Sequence, residues 1–200
     1  MKIIGVTGIS GSGKTTVTRM LAKHGGYPVE TDPLVHTLMR KGQPAYDDIV
    51  EAFGAGILDD DGEIHRPALG KQVFGDRKQL ARLESILHPK VAAETARLIA
   101  EADKTGKYSF AIIDAPLLIE AGMHKDCDSC WLVTASTETK LTRIINRDGI
   151  TLEAAAKRLA SRAGDEALMP YADVIIDNSS DVLADLEEAV ANTLKHVCTI

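Results

Sequence analysis

The sequence predicts an α/β fold in which five short strands form a parallel sheet with helices on both of its faces. Apolar runs bounded by turn-forming residues occur at 3–7, 27–29, 110–114, 130–134 and 173–177. These runs are almost continuously apolar, a pattern typical of strands that are covered on both faces. The segments between them repeat apolar residues at helical spacing, which indicates the crossover helices that a parallel sheet requires.

Several helices carry start or stop signals. Gly25 and Gly26 end the first helical segment, and Asp76 is a plausible N-cap for a helix that continues through 80–87. The last helix shows an apolar stripe formed by Leu183, Leu186, Val190, Leu194 and Val197. Helices of this kind can cover the faces of the predicted sheet.

The order of the segments predicts one domain with two helical insertions, since 200 residues suit a single core. The core comprises 1–31, 106–148 and 170–200. Residues 32–105 contain no convincing strand and are predicted to form a helical subdomain that binds a substrate. Residues 149–169 carry Arg158 and Arg162 and are predicted to form a small helical lid.

Composition narrows the classes of function. The formal charge of −6 argues against a general nucleic-acid surface, because affinity for the phosphate backbone comes from clustered Lys and Arg. No apolar run approaches the roughly 20 residues that cross a bilayer, and the start does not resemble a signal peptide. A cytoplasmic protein without nucleic-acid or membrane partners is therefore expected.

His124, Cys127 and Cys130 could belong to a zinc site, but no second ligand pair follows, so buried thiols are favoured.

A phosphate-binding loop follows the first predicted strand and precedes the first helix. Residues 8–15, GISGSGKT, match the pattern G-x-x-x-x-G-K-[ST] in the structural context that the motif requires. Gly8, Gly11 and Gly13 let the backbone direct several N–H groups at a phosphate. Lys14 is expected to be exposed and to act on the β- and γ-phosphates, so that its replacement leaves the fold largely intact. Thr15 offers a hydroxyl for Mg²⁺.

Other residues favour phosphoryl transfer over regulation. The segment after the third strand lacks the Asp-x-x-Gly switch of a GTPase, and no Asn-Lys pair is available to recognise guanine. Asp32 follows the second strand and is predicted to orient an acceptor hydroxyl. It could also cap a helix that has Pro33 at its first position, and the two roles are compatible. Asp114 is either a metal ligand or an ordinary end of a strand. Arg143 and Arg147 lie one helical turn apart, so both could face a phosphate, although exposed basic residues on helices are usually solvated.

Several segments in a fixed order are more specific than the phosphate-binding loop. They include 83–89 (LESILHP), 114–120 (DAPLLIE) and 172–178 (ADVIIDN), together with Thr31-Asp32 and Arg147-Asp148. With these segments the chain resembles the dephospho-CoA kinase family over nearly its whole length. The resemblance implies a three-layer P-loop NTPase fold, with ATP as phosphoryl donor, Mg²⁺, and the ribose 3′-hydroxyl of dephospho-CoA as acceptor. We expect a monomer or weak homo-oligomer.

The resemblance also implies roles for individual residues. The expected catalytic residues are Lys14, Asp32, Arg143 and Arg147, and the expected metal ligands are Thr15 and Asp114. ATP is expected to contact Gly8, Ser10, Gly11, Ser12, Gly13, Lys14, Thr15, Thr16 and Asn178. Dephospho-CoA is expected to contact Asp32, His88, Pro89, Leu117, Leu118 and Glu120. Some of these have ordinary structural explanations, since His88-Pro89 could break a helix and Leu117-Leu118 could be core.

The sequence departs from the family pattern at a few positions. Glu30-Thr31-Asp32 replaces the usual Asp-Ala-Asp, the loop reads Gly-Ile-Ser-Gly instead of Gly-Gly-Ile-Gly, and Arg162 stands where Gln is common. Two other functions remain as alternatives. One is a P-loop kinase for a nucleoside, nucleotide or sugar, and the other is a nucleotide-dependent regulatory module.

Overall fold

The sheet of the protein contains the five predicted strands. The structure is a computed structural model that describes residues 1–161, 164–180 and 182–198, so Arg162 lies outside the described residues. The strands are β1 (Lys2–Thr7), β2 (Gly26–Glu30), β3 (Phe110–Asp114), β4 (Ser129–Thr134) and β5 (Val174–Asp177). Their order is β2-β3-β1-β4-β5, and β1 runs parallel to both β3 and β4. The predicted α/β fold is confirmed.

Helices connect these strands. They are α1 (Lys14–Lys23), α2 (Thr31–Leu38), α3 (Tyr46–Phe53), α4 (Arg66–Val73), α5 (Arg77–Lys104), α6 (Thr137–Asp148), α7 (Leu152–Ala160), α8 (Asp165–Leu168) and α9 (Leu183–Cys198). The chain divides into two compact units, one formed by Met1–Val29 with Ile99–Ile200 and the other by Glu30–Leu98. Within the described ranges, no helix combines the length and apolarity needed to cross a membrane.

The main core of the first unit lies between the sheet and helices α1 and α9. Trp131 and Val133 of β4 are fully buried there, because β4 is an inner strand. Other members of this core are Ile4, Val6, Val17, Leu21, Leu186, Val190 and Leu194. The predicted stripe on α9 is therefore correct along most of its length. It fails at Leu183, which is 56% exposed at the start of the helix.

The second unit contains α2, α3, α4 and most of α5. Its buried apolar residues come from successive helices and include Ile49, Phe53, Ile57 and Leu69. An antiparallel bridge joins Leu58 to Ile64, and the intervening turn is held by the Asp59 carboxylate, which accepts hydrogen bonds from the backbone of Asp61 and Glu63. Hydrophobic burial and this turn together order the segment that carries no strand.

Helix α5 passes through Pro89 without ending. The Asp76 side chain accepts hydrogen bonds from the backbone N–H groups of Lys78 and Gln79, so the predicted N-cap is confirmed. The interpretation of His88-Pro89 as a helix break is wrong, because α5 extends from Arg77 to Lys104. Proline inside a helix costs about 3 kcal/mol. Burial of Leu87 and Val91 on either side offsets that cost.

Candidate active site

The phosphate-binding loop links the end of β1 to the start of α1. Gly11 and Gly13 have φ angles of 83° and 90°, which other residues rarely adopt. Helix α1 has no side-chain cap at its start. Its first N–H groups and its positive dipole end are therefore directed at the loop, where they attract a phosphate.

Residues from two other elements hold the loop in place. Asn178, which follows β5, donates a hydrogen bond of 2.8 Å from its side-chain nitrogen to the carbonyl oxygen of Ser12. Arg143 of α6 donates to the same oxygen at 3.5 Å and to the carbonyl oxygen of Asn178 at 2.9 Å. Asn178 was predicted to contact ATP, and Arg143 was predicted to be a catalytic residue near the phosphates. The structure places them against the backbone of the loop, where they stabilise its conformation.

Lys14 forms an ion pair with Asp114 at the end of β3. The register of the sheet explains this pairing, since Asp114 lies opposite Val6 at the carboxyl end of β1. The side chains of Lys14 and Asp114 are only 15% and 4% exposed. The expectation that Lys14 is exposed is therefore wrong, because a buried carboxylate on the adjacent strand draws the ammonium group into the protein.

The loop packs closely against the backbone of Lys140 on α6, whose side chain forms a second ion pair that was not predicted. A β-carbon at Gly11 would lie 2.6 Å from the carbonyl oxygen of Lys140 on α6, so only glycine allows this close approach. The side chain of Lys140 is buried and pairs with Asp165, the first residue of α8. No spacing in the sequence indicates this pair, because the two residues belong to different helices.

Arg147 lies beside the loop at the end of α6. Its guanidinium donates to both carboxylate oxygens of Asp148, at 2.7 and 2.9 Å, and to the hydroxyl oxygen of Ser10 at 3.4 Å. Arg158 of α7 also donates to Asp148. The hydrogen bond from Arg147 lowers the pKa of Asp148, so this carboxylate is ionised at neutral pH. Two arginines from separate helices thus share one carboxylate next to the loop.

A cavity of about 240 Å³ lies next to these arginines. Its lining comes from the loop and from the segment predicted as a lid, and comprises Ile9, Ser10, Arg158, Leu159 and Ser161. Other residues predicted to bind the nucleotide or its metal lie nearby in the chain. Thr15 is exposed and Thr16 is half-buried in the first turn of α1.

Asp32 does not cap helix α2. The helix begins at Thr31, and its N-cap is Glu30, which makes no capping hydrogen bond through its side chain. The capping interpretation of Asp32 is therefore wrong, because β2 passes directly into α2, which begins two residues before Pro33. The exposed Asp32 carboxylate is compatible with the start of the helix dipole and can accept a hydrogen bond.

The other residues predicted to bind the acceptor differ in exposure. His88 is half-buried and Pro89 is exposed on α5. After β3, Leu117 is half-buried and Glu120 is exposed, whereas Leu118 is fully buried. A β-carbon at Gly5 would lie 2.7 Å from a methyl group of Leu118, so this leucine packs against β1 as a core residue.

The possible zinc ligands do not assemble. Within the part of the chain that the structure describes, no three His, Cys, Asp or Glu side chains form a metal site. Burial raises the pKa of Cys127 to about 12 and that of Cys130 to about 11. Cys130 is buried, and the thiol of Cys127 is directed at the carbonyl oxygen of Met123 at 3.4 Å. Both are protonated thiols at neutral pH, as expected for structural cysteines.

Comparisons with known proteins identify the family of the chain. The family model for dephospho-CoA kinase matches residues 2–184. A dephospho-CoA kinase from Corynebacterium glutamicum is 36% identical over 97% of this chain and 98% of its own length. A crystal structure of a Thermus thermophilus protein superimposes with a TM-score of 0.78 at 28% identity, covering 98% of this chain and 97% of that chain. The structure of a dephospho-CoA kinase from Campylobacter jejuni superimposes with a TM-score of 0.70 at 26% identity, covering 100% and 98%. The chain therefore belongs to the dephospho-CoA kinase family.

Proposed function

We propose that this chain transfers the γ-phosphoryl group of ATP to the ribose 3′-hydroxyl of dephospho-CoA, which gives coenzyme A and ADP in the last step of coenzyme A biosynthesis. The observation that carries this proposal is the family match over residues 2–184. The braced phosphate-binding loop supports it independently, since phosphoryl transfer depends mainly on positioning and on neutralising charge.

The loop and its neighbours act on the donor. The N–H groups at the start of α1 hold the phosphates, and Lys14 moves its charge from Asp114 to the β- and γ-phosphate oxygens. Arg147 supplies further positive charge beside Ser10. Asn178 and Arg143 keep the loop in its binding conformation through the carbonyl oxygen of Ser12. These contacts stabilise the negative charge that develops on the leaving oxygen of ADP.

Asp32 acts on the acceptor. Its exposed carboxylate accepts the hydrogen bond of the 3′-hydroxyl and takes the proton as the oxygen attacks the γ-phosphorus. The bond from that phosphorus to ADP then breaks. His88, Pro89, Leu117 and Glu120 bind other parts of dephospho-CoA, whereas Leu118 is a core residue that packs against β1.

Thr15 and Asp114 would hold Mg²⁺. They provide a hydroxyl and a carboxylate oxygen, which are ligands that this cation prefers, and Asp114 lies at the strand end beside the loop. When bound, Mg²⁺ neutralises charge on the β- and γ-phosphates. Such an ion commonly takes one or two protein ligands together with phosphate and water.

An acceptor screen tests the proposal. ADP release would be measured with ATP and Mg²⁺ for dephospho-CoA, adenosine, nucleoside monophosphates and shikimate. Dephospho-CoA should give by far the highest kcat/KM, and phosphorus NMR should locate the new phosphate on the 3′-oxygen. A higher kcat/KM with any other acceptor would identify a different small-molecule kinase. Slow ATP hydrolysis that no acceptor stimulates would indicate a regulatory module.

A further inference from the structure

Three polar side chains form a continuous group on the surface of the second unit. Asp32 and His36 are exposed and lie four residues apart on α2, so they share one face of this helix. Arg66, the first residue of α4, places one guanidinium nitrogen 3.5 Å from Nδ1 of His36. The group therefore contains a carboxylate at one end, an imidazole in the middle and a guanidinium at the other end.

The positive charge of Arg66 is not neutralised by a carboxylate of the described residues. Within 1–161, 164–180 and 182–198, Arg66 forms no ion pair with a carboxylate. Arg97, in contrast, is held by the Glu94 carboxylate. Desolvation and the neighbouring Arg66 lower the pKa of His36, while Asp32 raises it. With its pKa lowered, His36 is neutral at pH 7, so Arg66 carries the positive charge of this pair and a bound anion would be stabilised by it.

We propose that Arg66, with His36 beside it, binds the diphosphate group of dephospho-CoA. This inference rests on the acceptor assigned above. Dephospho-CoA carries its diphosphate on the 5′-carbon of the same ribose whose 3′-hydroxyl is phosphorylated. A residue that binds the diphosphate must therefore lie close to the residue that receives the hydroxyl proton, as Arg66 and His36 lie close to Asp32.

The chemistry of each side chain suits this ligand. The planar guanidinium of Arg66 presents two parallel N–H groups to phosphate oxygens, and such charge-assisted hydrogen bonds are stronger than neutral ones. Neutral His36 can donate one further hydrogen bond from its ring. An acceptor anchored in this way would present its 3′-hydroxyl to Asp32, so binding of the diphosphate would select dephospho-CoA over a free nucleoside.

The decisive experiment compares Arg66→Gln with the matched control Arg77→Gln, since both arginines are exposed at the start of helices in this part of the chain. The loss of charge-assisted hydrogen bonds should lower kcat/KM for dephospho-CoA roughly 10- to 100-fold in Arg66→Gln, mainly through KM. The KM for ATP should change less than about twofold. Arg77→Gln should match the parent protein in kcat/KM and KM for dephospho-CoA and in KM for ATP.

Binding measurements separate the diphosphate from the rest of the acceptor. Calorimetry with saturating ADP would give the Kd of dephospho-CoA and of adenosine, which lacks the diphosphate. Arg66→Gln should weaken dephospho-CoA binding and leave adenosine binding unchanged, and Arg66→Lys should show a smaller loss. Equal losses for both ligands, or no loss for either, would overturn this inference.

The same data distinguish this inference from the proposed function. A parent protein that does not phosphorylate dephospho-CoA would contradict the proposed function. A parent protein that does so, together with unchanged kinetics in Arg66→Gln, would contradict only the role of Arg66. Thermal unfolding would verify that each variant is folded. If Arg66→Gln does not fold, the kinetics and binding of Arg66→Lys test the role of Arg66 instead.

Discussion

Asp32 shows how one residue's place in a helix bears on its role. It is the second residue of α2, where a carboxylate gains only a modest interaction with the helix dipole, on the order of 0.3–1 kcal/mol. It does not cap the helix, so replacing its carboxylate removes no capping hydrogen bond. A large effect of the replacement on turnover would therefore have to come from the reaction.

We expect Asp32→Asn to lower turnover at saturating dephospho-CoA roughly 10²- to 10⁴-fold, the usual contribution of a general base. The affinity for ATP should stay nearly constant, because the amide keeps the size of the side chain. Steady-state kinetics and ATP binding would be measured on the same preparation. Asp47→Asn is the matched control, since Asp47 is also exposed and is the second residue of α3.

That control should behave as the parent protein does in turnover and in unfolding. A loss below about tenfold for Asp32→Asn, or about 1.4 kcal/mol, would contradict the role as general base, because a small misplacement of α2 could produce it. An equal loss of turnover in Asp47→Asn would show that the effect comes from the net charge of the second unit and not from proton transfer by Asp32.

Sequence reasoning predicts residues of this site best where spacing along the chain determines structure. The pattern of Gly11, Gly13 and Lys14 predicts the phosphate-binding loop, since loop geometry depends on local backbone freedom. Two contacts could not be predicted from the sequence. They are the ion pair of Lys140 with Asp165 and the hydrogen bond of Asn178 to Ser12. Those contacts join residues from separate elements, and they exist only because the sheet brings the elements together.

Helices α6 and α7 meet at the carboxylate of Asp148. The contacts of Arg147 with Asp148 and Ser10 use the nitrogens Nε and Nη2, which leaves Nη1 for a phosphate oxygen. Two arginines and one carboxylate carry a net positive charge. Asp148 therefore orients Arg147 and Arg158 without cancelling their positive charge.

We expect Asp148→Asn to reduce kcat/KM for ATP about tenfold or more, because both arginines lose an ionic hydrogen-bond acceptor. Asp148→Glu should recover part of the activity. In the folded parent protein the pKa of Asp148 is lowered, so its carboxylate is ionised throughout the neutral pH range. Its ionic contacts are lost only when the pH falls through that lowered pKa. The activity deficit of Asp148→Asn should therefore be constant from pH 6 to 8.

The control for this element is Asp185→Asn, which removes an exposed carboxylate from the first turn of α9. It should leave the kinetics with ATP unchanged. A deficit of Asp148→Asn that disappears at pH 6, or one that Asp185→Asn shares, would contradict the positioning of the arginines.

At the level of elements, the order of strands and helices is predictable because periodicity reports which faces are buried. The residues at which individual helices begin and end are less predictable. Helix α2 starts at Thr31 instead of after Asp32, and Pro33 is accommodated because N–H groups in the first turn make no helical hydrogen bond. Helix α5 continues through Pro89 because packing of its buried neighbours outweighs the local preference of proline. Leu183 likewise follows the apolar stripe of α9 but lies beyond the part of the helix that the sheet covers.

For the whole molecule, the ion pair of Lys14 with Asp114 couples function to stability. Removing one partner of a buried ion pair typically costs 3–5 kcal/mol, because the remaining charge is left without compensation. We expect Lys14→Ala to abolish turnover and to lower the midpoint of thermal unfolding by roughly 6–20 °C for a chain of this size. The first effect arises from the phosphates and the second from Asp114.

The double variant Lys14→Ala with Asp114→Asn separates these two effects. Asparagine removes the buried charge, so the double variant should unfold closer to the parent protein than Lys14→Ala does, while its turnover stays negligible. Calorimetric unfolding and ADP release would be measured for the parent, both single variants and the double variant. Recovery of stability would confirm that the buried charge of Asp114 destabilises Lys14→Ala, and turnover should stay negligible because the double variant lacks both Lys14 and the proposed Mg²⁺ ligand Asp114. If the double variant unfolds as early as Lys14→Ala, the buried charge is not the cause of the instability, and if it regains turnover, the catalytic role of Lys14 is wrong.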